Sequence, residues 1–485
     1  ELKVYKVVLF DCVAKDLEIQ IAMIFDQQSI LEYLSLYEMF ISSHYYLKYY
    51  ETSILSLNEL CIKSASVAIR NADITCFLPL LTHGQFLQNI PSMLESIPFQ
   101  RILSERKNKF ENAIVVSAGP SLAKQLPLLK AYQEKAVIFC ADGALSMLEK
   151  EGIVPDYVTN LDFTDLAMKF FQNKENKTSL NVLSCATHPN VVHSLKAENC
   201  MIVLRNKALY QRFNLNDFGY IDTGTHVSHF SYALALALGF KNIIMIGQDL
   251  AFDEEGNSHS KGFDFGEKFS GEENIDKLKV TAYAGKGEVL THITWNDYRV
   301  KLEYLFACND QKAKFYNATE GGARINFTEE LSFKECCEKL LTKEKPKFEF
   351  PKSLTKNRSD KLLVKFKEKI QKDQENAKRF LDDALALKQI LENILSKDFL
   401  LPLEFLEKVY QNIENFNHSL DEDEFIQDEV LRGAFAYRGK LISDVLKLHI
   451  KDETHFITAY IKAYDEWLLY FIEKLGQKYK SLSKV

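Results

Sequence analysis

Short apolar runs alternate with helix-forming segments through the middle of the chain. The runs predict buried strands at 113–116, 137–140, 157–159, 182–184, 201–204, 243–246 and 314–316. The segments between them predict helices at 121–132, 144–151, 227–238 and 296–306. This alternation is typical of a parallel sheet with helices on both faces. The pattern therefore predicts an α/β fold whose chemical core occupies residues 106–340.

The chain on either side of this core has a different pattern. Residues 1–105 begin with a strand-like run at 4–10 and continue with helical segments, which predicts an N-terminal α/β domain. Residues 341–485 are helical and highly charged beyond a linker that contains two prolines. Apolar residues recur there in two interleaved seven-residue series, Ile370, Ala377, Ala384 and Leu391 with Phe380, Leu387 and Ile394. Such a seam is typical of packed helices, so we expect a C-terminal helical bundle, which also offers a surface for oligomer formation.

The composition narrows the classes of protein that fit the chain. Its 485 residues are 46% hydrophobic and 26% charged, as in ordinary globular proteins. A net charge of −7 argues against a general nucleic-acid binder, which would carry a basic surface. The chain starts at Glu1 rather than at Met, which is typical of a fragment, and no apolar run reaches the ~18 residues of a membrane span. The nine cysteines have neither CxxC nor Cys/His metal spacing, so we expect reduced thiols, no metal centre and a cytoplasmic protein.

Residues 221–252 combine a polar turn, a helix and a buried strand. The small polar residues at 222–225 are of the kind that caps a helix and leaves its first amide hydrogens free. Gly239 is placed to end that helix in the left-handed conformation. In open α/β sheets, ligands bind just beyond the carboxyl ends of the strands, where Gln248 and Asp249 follow the strand at 243–246. The residues expected to contact a ligand are Thr223, Gly224, Thr225, His226, Gln248 and Asp249, although an ordinary helix–strand unit would have the same pattern.

A second candidate is the turn Gly119, Pro120, Ser121 and Leu122, directly after the first core strand. Gly119 permits a tight turn, and Pro120 suits the start of a helix because its missing amide hydrogen costs nothing there. The amides of Ser121 and Leu122 would then point at an anion. The turn matches neither GxGxxG nor GxxxxGK[ST], so it predicts a phosphate site without a dinucleotide fold or a P-loop.

Polar residues also follow other predicted strands. Asp142 follows the second strand, Asn160 and Asp162 follow the third, and Glu320 and Gly321 lie in a glycine-rich turn after the strand at 314–316. Each of them has a simpler interpretation as a helix cap or a turn residue. Because the carboxyl ends of parallel strands meet at one edge of a sheet, we expect these residues to share a crevice with Asp249.

Two of the eleven histidines have surroundings that suggest chemistry. His259 lies in the loop after the Asp249 strand, and His292 lies just ahead of a helix. The glycine-rich sequence between them is typical of a lid over a site. A histidine that titrates near neutrality is the natural general base for a hydroxyl.

Together these motifs resemble the motility-associated factor (Maf) flagellin glycosyltransferases. The resemblance spans about residues 115–325 and rests on SAGPSL, CADGAL, TNLDF, DTGTHVSHF, LGFKNIIMIGQDLAF, EGNSH and NATEGGA. The Maf core is shared with archaeal hydroxymethylpterin pyrophosphokinases and is similar to that of bacterial CMP-sugar sialyltransferases. The resemblance implies that residues 106–340 form a Rossmann-like, sialyltransferase-like domain that binds a nucleotide sugar.

For the reaction, the resemblance implies transfer of a nonulosonic acid, pseudaminic or legionaminic acid, from its CMP conjugate to Ser or Thr of flagellin, as flagellum assembly and motility require. The segment THITWNDYRVKLE resembles the one that carries the catalytic histidine of the sialyltransferases, which points to His292 as the general base. His259 is then expected to stabilise the leaving phosphate, and the strand-end carboxylates and amides to orient cytidine, ribose or sugar. This chemistry requires no cofactor, although several carboxylates in one crevice could bind Mg²⁺.

Two other functions fit the same motifs. A diphosphokinase acting on a 6-hydroxymethylpterin-type alcohol would use the shared core, with its acidic residues on Mg²⁺ and the ATP phosphates. A non-catalytic nucleotide-binding or flagellin-docking module would need no base, and His292→Ala would leave its activity intact. The additional domains at both ends favour a protein acceptor over a small one.

Overall fold

The computed structural model describes residues 17, 21, 44–71, 75–171, 179–269 and 277–484. The chain divides into two compact units, Glu1–Gly84 with Lys369–Lys484 and Gln85–Glu368. The predicted strand at 4–10 lies outside the described residues. The described helices of the first 105 residues are α1 (His44–Asn71), α2 (Phe77–Glu95) and α3 (Phe99–Arg106). The three predicted domain boundaries stay predictions.

A parallel sheet of nine strands forms the framework of the second unit. The strands, with a separate hairpin formed by β8 and β9, are β1 (Asn112–Val116), β2 (Val137–Ala141), β3 (Tyr157–Asn160), β4 (Leu180–Ser184), β5 (Cys200–Arg205), β6 (Tyr220–Ile221), β7 (Asn242–Ile246), β8 (Lys277–Thr281), β9 (Glu288–His292), β10 (Lys314–Asn317) and β11 (Glu329–Glu330). The order in the sheet is β11-β10-β7-β1-β2-β3-β4-β5-β6. Every pairing in it is parallel, which confirms the predicted α/β fold.

Helices connect most of these strands. They are α4 (Leu122–Tyr132), α5 (Leu145–Lys150), α6 (Met168–Phe171), α7 (Pro189–Ser194), α8 (Ala208–Gln211), α9 (Val227–Ala237), α10 (Ile293–Ala307) and α11 (Phe333–Leu340). The predicted helix at 296–306 begins three residues earlier than expected, so His292 becomes its N-cap.

The apolar strands are buried because each of their two faces packs against a separate core. In β1, Val115 belongs to a core on one face, which α9 completes through Phe230 and Leu234. Val116 belongs to the core on the opposite face, to which α4 contributes Leu126. Alternate side chains of a strand point to opposite faces. A continuous apolar run is therefore what a sheet covered on both sides requires.

The direction in which strands are added to the sheet reverses between β1 and β7. Strands β1 to β6 follow one another outward in sequence order, and α9 then returns across the sheet so that β7 pairs with the other edge of β1. Gly239, at φ +81°, ends α9 in the left-handed conformation, as predicted. In open α/β sheets such a reversal opens a crevice at the carboxyl ends of the two strands. The polar turns after β1 and β7 are therefore brought to one place.

The C-terminal part of the chain is helical, as predicted. Its helices are α12 (Lys356–Leu395), α13 (Leu403–Asp421), α14 (Arg432–Lys447) and α15 (Glu453–Leu482). The heptad residues Ala377, Ala384 and Leu391 are fully buried, which confirms the predicted seam of α12. An oligomer contact through these helices stays a prediction. None of the helices in the described ranges combines the length and apolar character needed to cross a bilayer.

Candidate active site

A pocket of about 120 Å³ lies at the reversal between β1 and β7, and we call it the switch-point pocket. Its walls come from the turns after these two strands, from the loop that follows and from the first turn of α10. The lining residues are Ser117, Ala118, Gly119, Gly247, Gln248, Asp249, Leu250, Ala251, Ser258, His259 and Trp295. This volume is well below the ~300–1,000 Å³ of ordinary small-molecule pockets. A nucleotide sugar would therefore have to extend beyond the pocket.

The turn predicted to bind phosphate is occupied by a carboxylate of the protein. The backbone N–H of Ser121 donates to both carboxylate oxygens of Asp249 at 3.3 Å, and its hydroxyl donates to Oδ2 at 2.8 Å. The N–H of Leu122 donates to the carbonyl of Gly119 at 3.1 Å. These donors therefore do not point at an empty anion site, as the sequence suggested. A ligand phosphate could reach the amide of Ser121 only by displacing Asp249.

Glycines on both sides give Asp249 the space it fills. A Cβ on Gly119 would lie 2.1 Å from Oδ2 of Asp249 and 2.5 Å from the carbonyl oxygen of Gly247. A Cβ on Gly322 would lie 2.3 Å from the carbonyl oxygen of Asp249, and its φ is +73°. Gly321 approaches less closely, because its Cβ would lie 3.4 Å from Oδ1. The glycine-rich turns after β1 and β10 thus both pack on the aspartate at the end of β7.

Burial raises the pKa of Asp249 to about 6, against the lowering effect of the hydrogen bonds from Ser121. The nearby carboxylate of Asp253 adds a smaller upward effect. A carboxyl group in this position carries a proton in mildly acidic solution and is mostly ionised at neutral pH. The switch-point pocket therefore contains a group whose charge changes just below neutrality.

Asp249→Asn is expected to change how stability depends on pH. The pKa of Asp249 is about 6 in the folded state, against the ordinary value of 3.8 that applies in the unfolded chain. Between pH 3.8 and 6 the folded state therefore binds more protons than the unfolded state. The contribution of Asp249 to the free energy of unfolding therefore falls as pH rises from 4 to 6, by up to ~3 kcal/mol. The stability of Asp249→Asn relative to the wild type should accordingly increase over this range, as measured by urea unfolding at pH 4.5 and 7.5. Asp310→Asn, at an exposed carboxyl, is the matched control, and an unchanged pH dependence in Asp249→Asn would contradict this pKa.

Gln248 and a glutamine of α4 hold the ends of the strands around the pocket. The side-chain oxygen of Gln248 accepts hydrogen bonds from Ser117 at 2.9 Å and Tyr232 at 3.3 Å, which leaves its NH₂ group as the donor for a ligand. Gln125 accepts from the N–H of Gly247 at 3.1 Å and donates to two carbonyls in the turn after β10. Sequence analysis missed Gln125, whose signal is a polar residue on the buried face of a helix.

His292 is the N-cap of α10. Its Nδ1 accepts a hydrogen bond from the backbone N–H of Trp295 at 3.3 Å, and its ring lies against the Trp295 indole, with centroids 3.8 Å apart. Burial, with a smaller effect from Lys277, lowers the pKa of His292 to about 4, so the ring is neutral at pH 7. Because Nδ1 accepts, the proton of the neutral ring is on Nε2. This Nε2–H is buried without a hydrogen-bond partner among the described residues, and His292 does not line the switch-point pocket. The predicted base would need an accessible lone pair there.

His259 has the opposite arrangement. It lines the switch-point pocket and stacks on Phe263, with centroids 3.9 Å apart. Its Nδ1 lies 2.9 Å from the hydroxyl of Ser258, which is also within 2.9 Å of two backbone carbonyls. The two carbonyls can only accept hydrogen bonds, so the single hydrogen of the hydroxyl goes to one of them. The hydroxyl oxygen then accepts from Nδ1–H of His259, and the lone pair of the ring is on Nε2. Burial lowers the pKa of His259 to about 4, against a raising effect of the Phe269 backbone.

The turn before α9 does not line the switch-point pocket. The N-cap of α9 is His226, whose Nδ1 accepts from the N–H of His229 at 3.3 Å, so the expectation that residues 222–225 cap this helix is wrong. Thr223 is buried, Thr225 is exposed, and Gly224, at φ +62°, lies directly over the ring of His229. A glycine is required there because the imidazole leaves no room for a Cβ.

His226 contacts α10, the helix that carries pocket residue Trp295. Its ring stacks on Tyr298, with centroids 4.7 Å apart, and Tyr298 lies one helical turn beyond Trp295. Its Nε2 is buried without a hydrogen-bond partner among the described residues. Burial holds the pKa of His226 well below its usual range, so it too is a neutral ring at pH 7.

The strand-end residues Asp142, Asn160 and Asp162 form hydrogen bonds mainly with one another and with nearby backbone amides. The carboxylate of Asp142 accepts hydrogen bonds from the N–H of Gly143 and from the side chain of Asn160. Asn160 accepts from the N–H of Asp162, which in turn caps the amide of Thr164. They lie beside the pocket rather than in it: a Cβ on Gly143 would be 3.6 Å from the side chain of pocket residue Ala118. The prediction that these residues share a crevice with Asp249 is therefore wrong for the switch-point pocket, which none of them lines.

Glu320 is exposed and faces a helix instead of the pocket. Its carboxylate accepts a hydrogen bond from the first amide of α11, that of Phe333, at 3.0 Å. Within the described residues, no group of three or more His, Cys, Asp or Glu is arranged to hold a metal ion. The residues that line the pocket but were not predicted include Ser117, Ser258 and Trp295. Of these, Trp295 had a signal, since it lies three residues after a predicted catalytic histidine.

Comparison with known proteins gives a family model that matches part of the chain. Residues 84–255, which contain β1 to β7 and the turns of the switch-point pocket, match the sequence model of a family described as 6-hydroxymethylpterin diphosphokinase MptE-like. No curated protein matches the chain significantly.

A solved structure then gives the particular fold. The Maf glycosyltransferase from Magnetospirillum magneticum AMB-1 superposes with a TM-score of 0.56 at 14% sequence identity, covering 96% of this chain and 69% of that chain. The chain therefore has the fold of this Maf glycosyltransferase around an MptE-like core. The resemblance that the sequence motifs indicated is confirmed at the level of the fold.

Proposed function

We propose that the protein is an O-glycosyltransferase that moves a nonulosonic acid, pseudaminic or legionaminic acid, from its CMP conjugate to Ser or Thr of flagellin. One observation carries the proposal: the switch-point pocket is lined by His259, whose Nε2 is a proton acceptor, beside Asp249 and Gln248. A proton acceptor in such a pocket suits group transfer to a hydroxyl. The fold shared with a Maf glycosyltransferase supports the same class of reaction.

The reaction requires one bond to break and one to form at the anomeric carbon. The bond to the phosphate oxygen breaks with its electron pair, so CMP departs with the added negative charge. The oxygen of the acceptor hydroxyl forms the new bond, and its proton passes to a base. Glycosyl transfer of this kind passes through a cation-like sugar. The site must therefore stabilise a leaving phosphate and accept one proton.

The hydrogen bonds favour an exchange of the two roles predicted for the histidines. His259 has its lone pair on Nε2 and lines the pocket, so it is the candidate base. His292 has a proton on Nε2 and is the candidate donor to the leaving phosphate. For His292 to act as base, its Nδ1 would have to give up the bond from Trp295, at a cost of about 1 kcal/mol.

Asp249 and Gln248 would act on the phosphate or sugar that enters the pocket. The NH₂ group of Gln248 can donate to a phosphate oxygen, whereas ionised Asp249 would repel it. Because the pKa of Asp249 lies close to neutrality, the carboxyl group can take up a proton when the nucleotide binds. Asp142 follows β2, and Asn160 and Asp162 come at the end of β3, one and two strands beyond β1; the cytidine or ribose would extend in that direction.

A second candidate function is the pyrophosphoryl transfer carried out by MptE-type diphosphokinases. It is favoured by the description of the family that residues 84–255 match. In that reaction the carboxylates would hold Mg²⁺ and the ATP phosphates, and the alcohol of a pterin would be the acceptor.

One experiment tests both candidates. The purified protein is incubated with flagellin and CMP-pseudaminic or CMP-legionaminic acid, and separately with ATP and 6-hydroxymethylpterin, and product masses are measured. An increase in flagellin mass by one sugar residue is expected. A pterin diphosphate in the second mixture, with unmodified flagellin in the first, would establish the diphosphokinase instead. If neither product forms while CMP binds, the protein is a non-catalytic nucleotide-binding module.

A further inference from the structure

A second pocket, of about 370 Å³, lies between the β8–β9 hairpin, α10 and the loop after β10. We call it the hairpin pocket. Three of its lining side chains are cationic, one is anionic and two are neutral and polar: Lys279, Arg299, Arg324, Glu288, Thr281 and Asn326. Each cation has a carboxylate partner, Glu288, Glu303 or Glu330, so it is the hydrogen-bond donors of the lining, and not a net positive charge, that fit an anionic ligand.

Arg299 is held in a fixed position at this pocket. Its guanidinium donates to the side-chain oxygen of Asn296 through two nitrogens, at 3.2 and 2.9 Å, and to Glu303 through a third, at 2.5 Å. Asn296 and Glu303 are both buried. These bonds use three of the five guanidinium N–H groups. Two remain for a ligand, in a planar arrangement that suits a carboxylate.

The other two cations are only loosely paired. Lys279 lies 3.6 Å from Glu288, and Arg324 lies 3.7 Å from Glu330. Both distances exceed the roughly 2.8 Å of a charge-assisted hydrogen bond. The side chains of Lys279 and Arg324 are 71% and 48% exposed, so these ion pairs stabilise the fold little. Both cations can therefore turn toward a ligand without breaking a strong contact.

The hairpin pocket and the candidate catalytic groups are built on the same two elements, β9 and α10. Glu288 and His292 are four residues apart on β9, so their side chains lie on the same face of the hairpin. Trp295 and Arg299 are four residues apart on α10, about 6 Å along the helix axis. The strand and the helix that carry His292 and Trp295 thus continue directly into the wall of this second pocket.

We propose that the hairpin pocket is a substrate subsite that binds a carboxylate next to the reacting centre. The inference rests on the proposed function. Such a carboxylate has two sources in that reaction: the acid group of the nonulosonic acid and an acidic side chain beside the acceptor hydroxyl. In either case Arg299 provides the fixed fork, and Lys279 and Arg324 close on the charge.

The test measures binding without catalysis, so that its result does not depend on whether sugar transfer occurs. Calorimetry compares N-acetylneuraminic acid with its methyl ester, and a short peptide with Asp beside Ser with the same peptide carrying Asn. The acid form of one pair is expected to bind at least tenfold more tightly than its neutral form. The pair that shows this preference identifies the source of the carboxylate.

Two double variants test whether the hairpin pocket causes the preference for the acid form. Lys279→Gln with Arg324→Gln is expected to lower it at least threefold while Arg299 remains, since both side chains line the pocket and are exposed enough to be replaced without unfolding. Lys286→Gln with Lys314→Gln removes the same charge from exposed positions outside the pocket and should retain it. Equal binding of acid and neutral probes by the wild type, or an acid preference that is unchanged in the first double variant, overturns the proposal. Absence of sugar transfer alone would count against the proposed function and not against the subsite.

Discussion

Replacing His259 with asparagine is expected to slow sugar transfer to a hydroxyl by about 10²–10⁴-fold, the usual contribution of a general base. The asparagine NH₂ group can replace Nδ1–H as the donor to Ser258, but no atom replaces Nε2. The loss should therefore affect the rate constant of a single turnover, with the dissociation constant of CMP nearly unchanged. Rapid quench of the protein with labelled donor and excess flagellin measures the rate.

His292→Asn is the matched variant for the second imidazole. Asparagine is a good N-cap, so its side-chain oxygen can still accept from the N–H of Trp295, while the Nε2–H donor is lost. A missing donor to a developing negative charge is expected to cost about 10²–10³-fold in rate. His292→Ala would also remove the cap, which confuses chemistry with the stability of α10.

Azide distinguishes the two roles. It is already an anion, so as acceptor it needs no general base, and it should restore formation of a glycosyl product in the base variant only. Rescue of His259→Asn but not of His292→Asn supports the roles argued above. The reverse pattern would return the base to His292, and two variants with wild-type rates would remove both imidazoles from the mechanism.

Gly119→Ala is expected to lower the free energy of unfolding by about 1–3 kcal/mol, the usual cost of overpacking. The new methyl group would meet Oδ2 of Asp249 at 2.1 Å and the carbonyl of Gly247 at 2.5 Å, and the second contact is with backbone that cannot rotate away. Urea unfolding at neutral pH measures the change.

Two further glycines provide a graded control. Gly321→Ala places its Cβ 3.4 Å from Oδ1 of Asp249, so a small effect is expected there. Gly476→Ala meets no atom within 4 Å and lies inside α15, where alanine favours the helix. A free energy of unfolding of Gly119→Ala as high as that of Gly476→Ala would contradict the close packing of the turn on Asp249.

The sheet was predictable because each of its longer strands is encoded by a short apolar run in the sequence. Runs such as 113–116 and 243–246 are apolar without interruption, which only a doubly covered strand requires, and the strands begin or end within two residues of the prediction. The seam of α12 was predictable for the same reason, since Ala377 and Ala384 repeat at helical spacing. The pairing of β1 with β7 could not be predicted from the sequence, because no local pattern encodes which strands pair.

The site was harder to predict than the fold. The sequence indicated Gly119, Asp249 and His259 as separate candidates, and the structure brings all three to one pocket. That Asp249 binds the turn of Gly119 depends on a contact between distant segments. The tautomers of His259 and His292 depend on single hydrogen bonds to Ser258 and to the amide of Trp295. Such geometry follows from tertiary packing, and residue types alone do not determine it.

The contact between Ser121 and Asp249 joins positions 128 residues apart. A chain emerging from the ribosome cannot form this contact until Asp249 has been synthesised. Until then, β1 to β6 are either exposed or packed in an incomplete sheet. The switch-point pocket is therefore absent from every shorter nascent chain. A ligand of this pocket can bind only after β7 has been synthesised and has paired with β1.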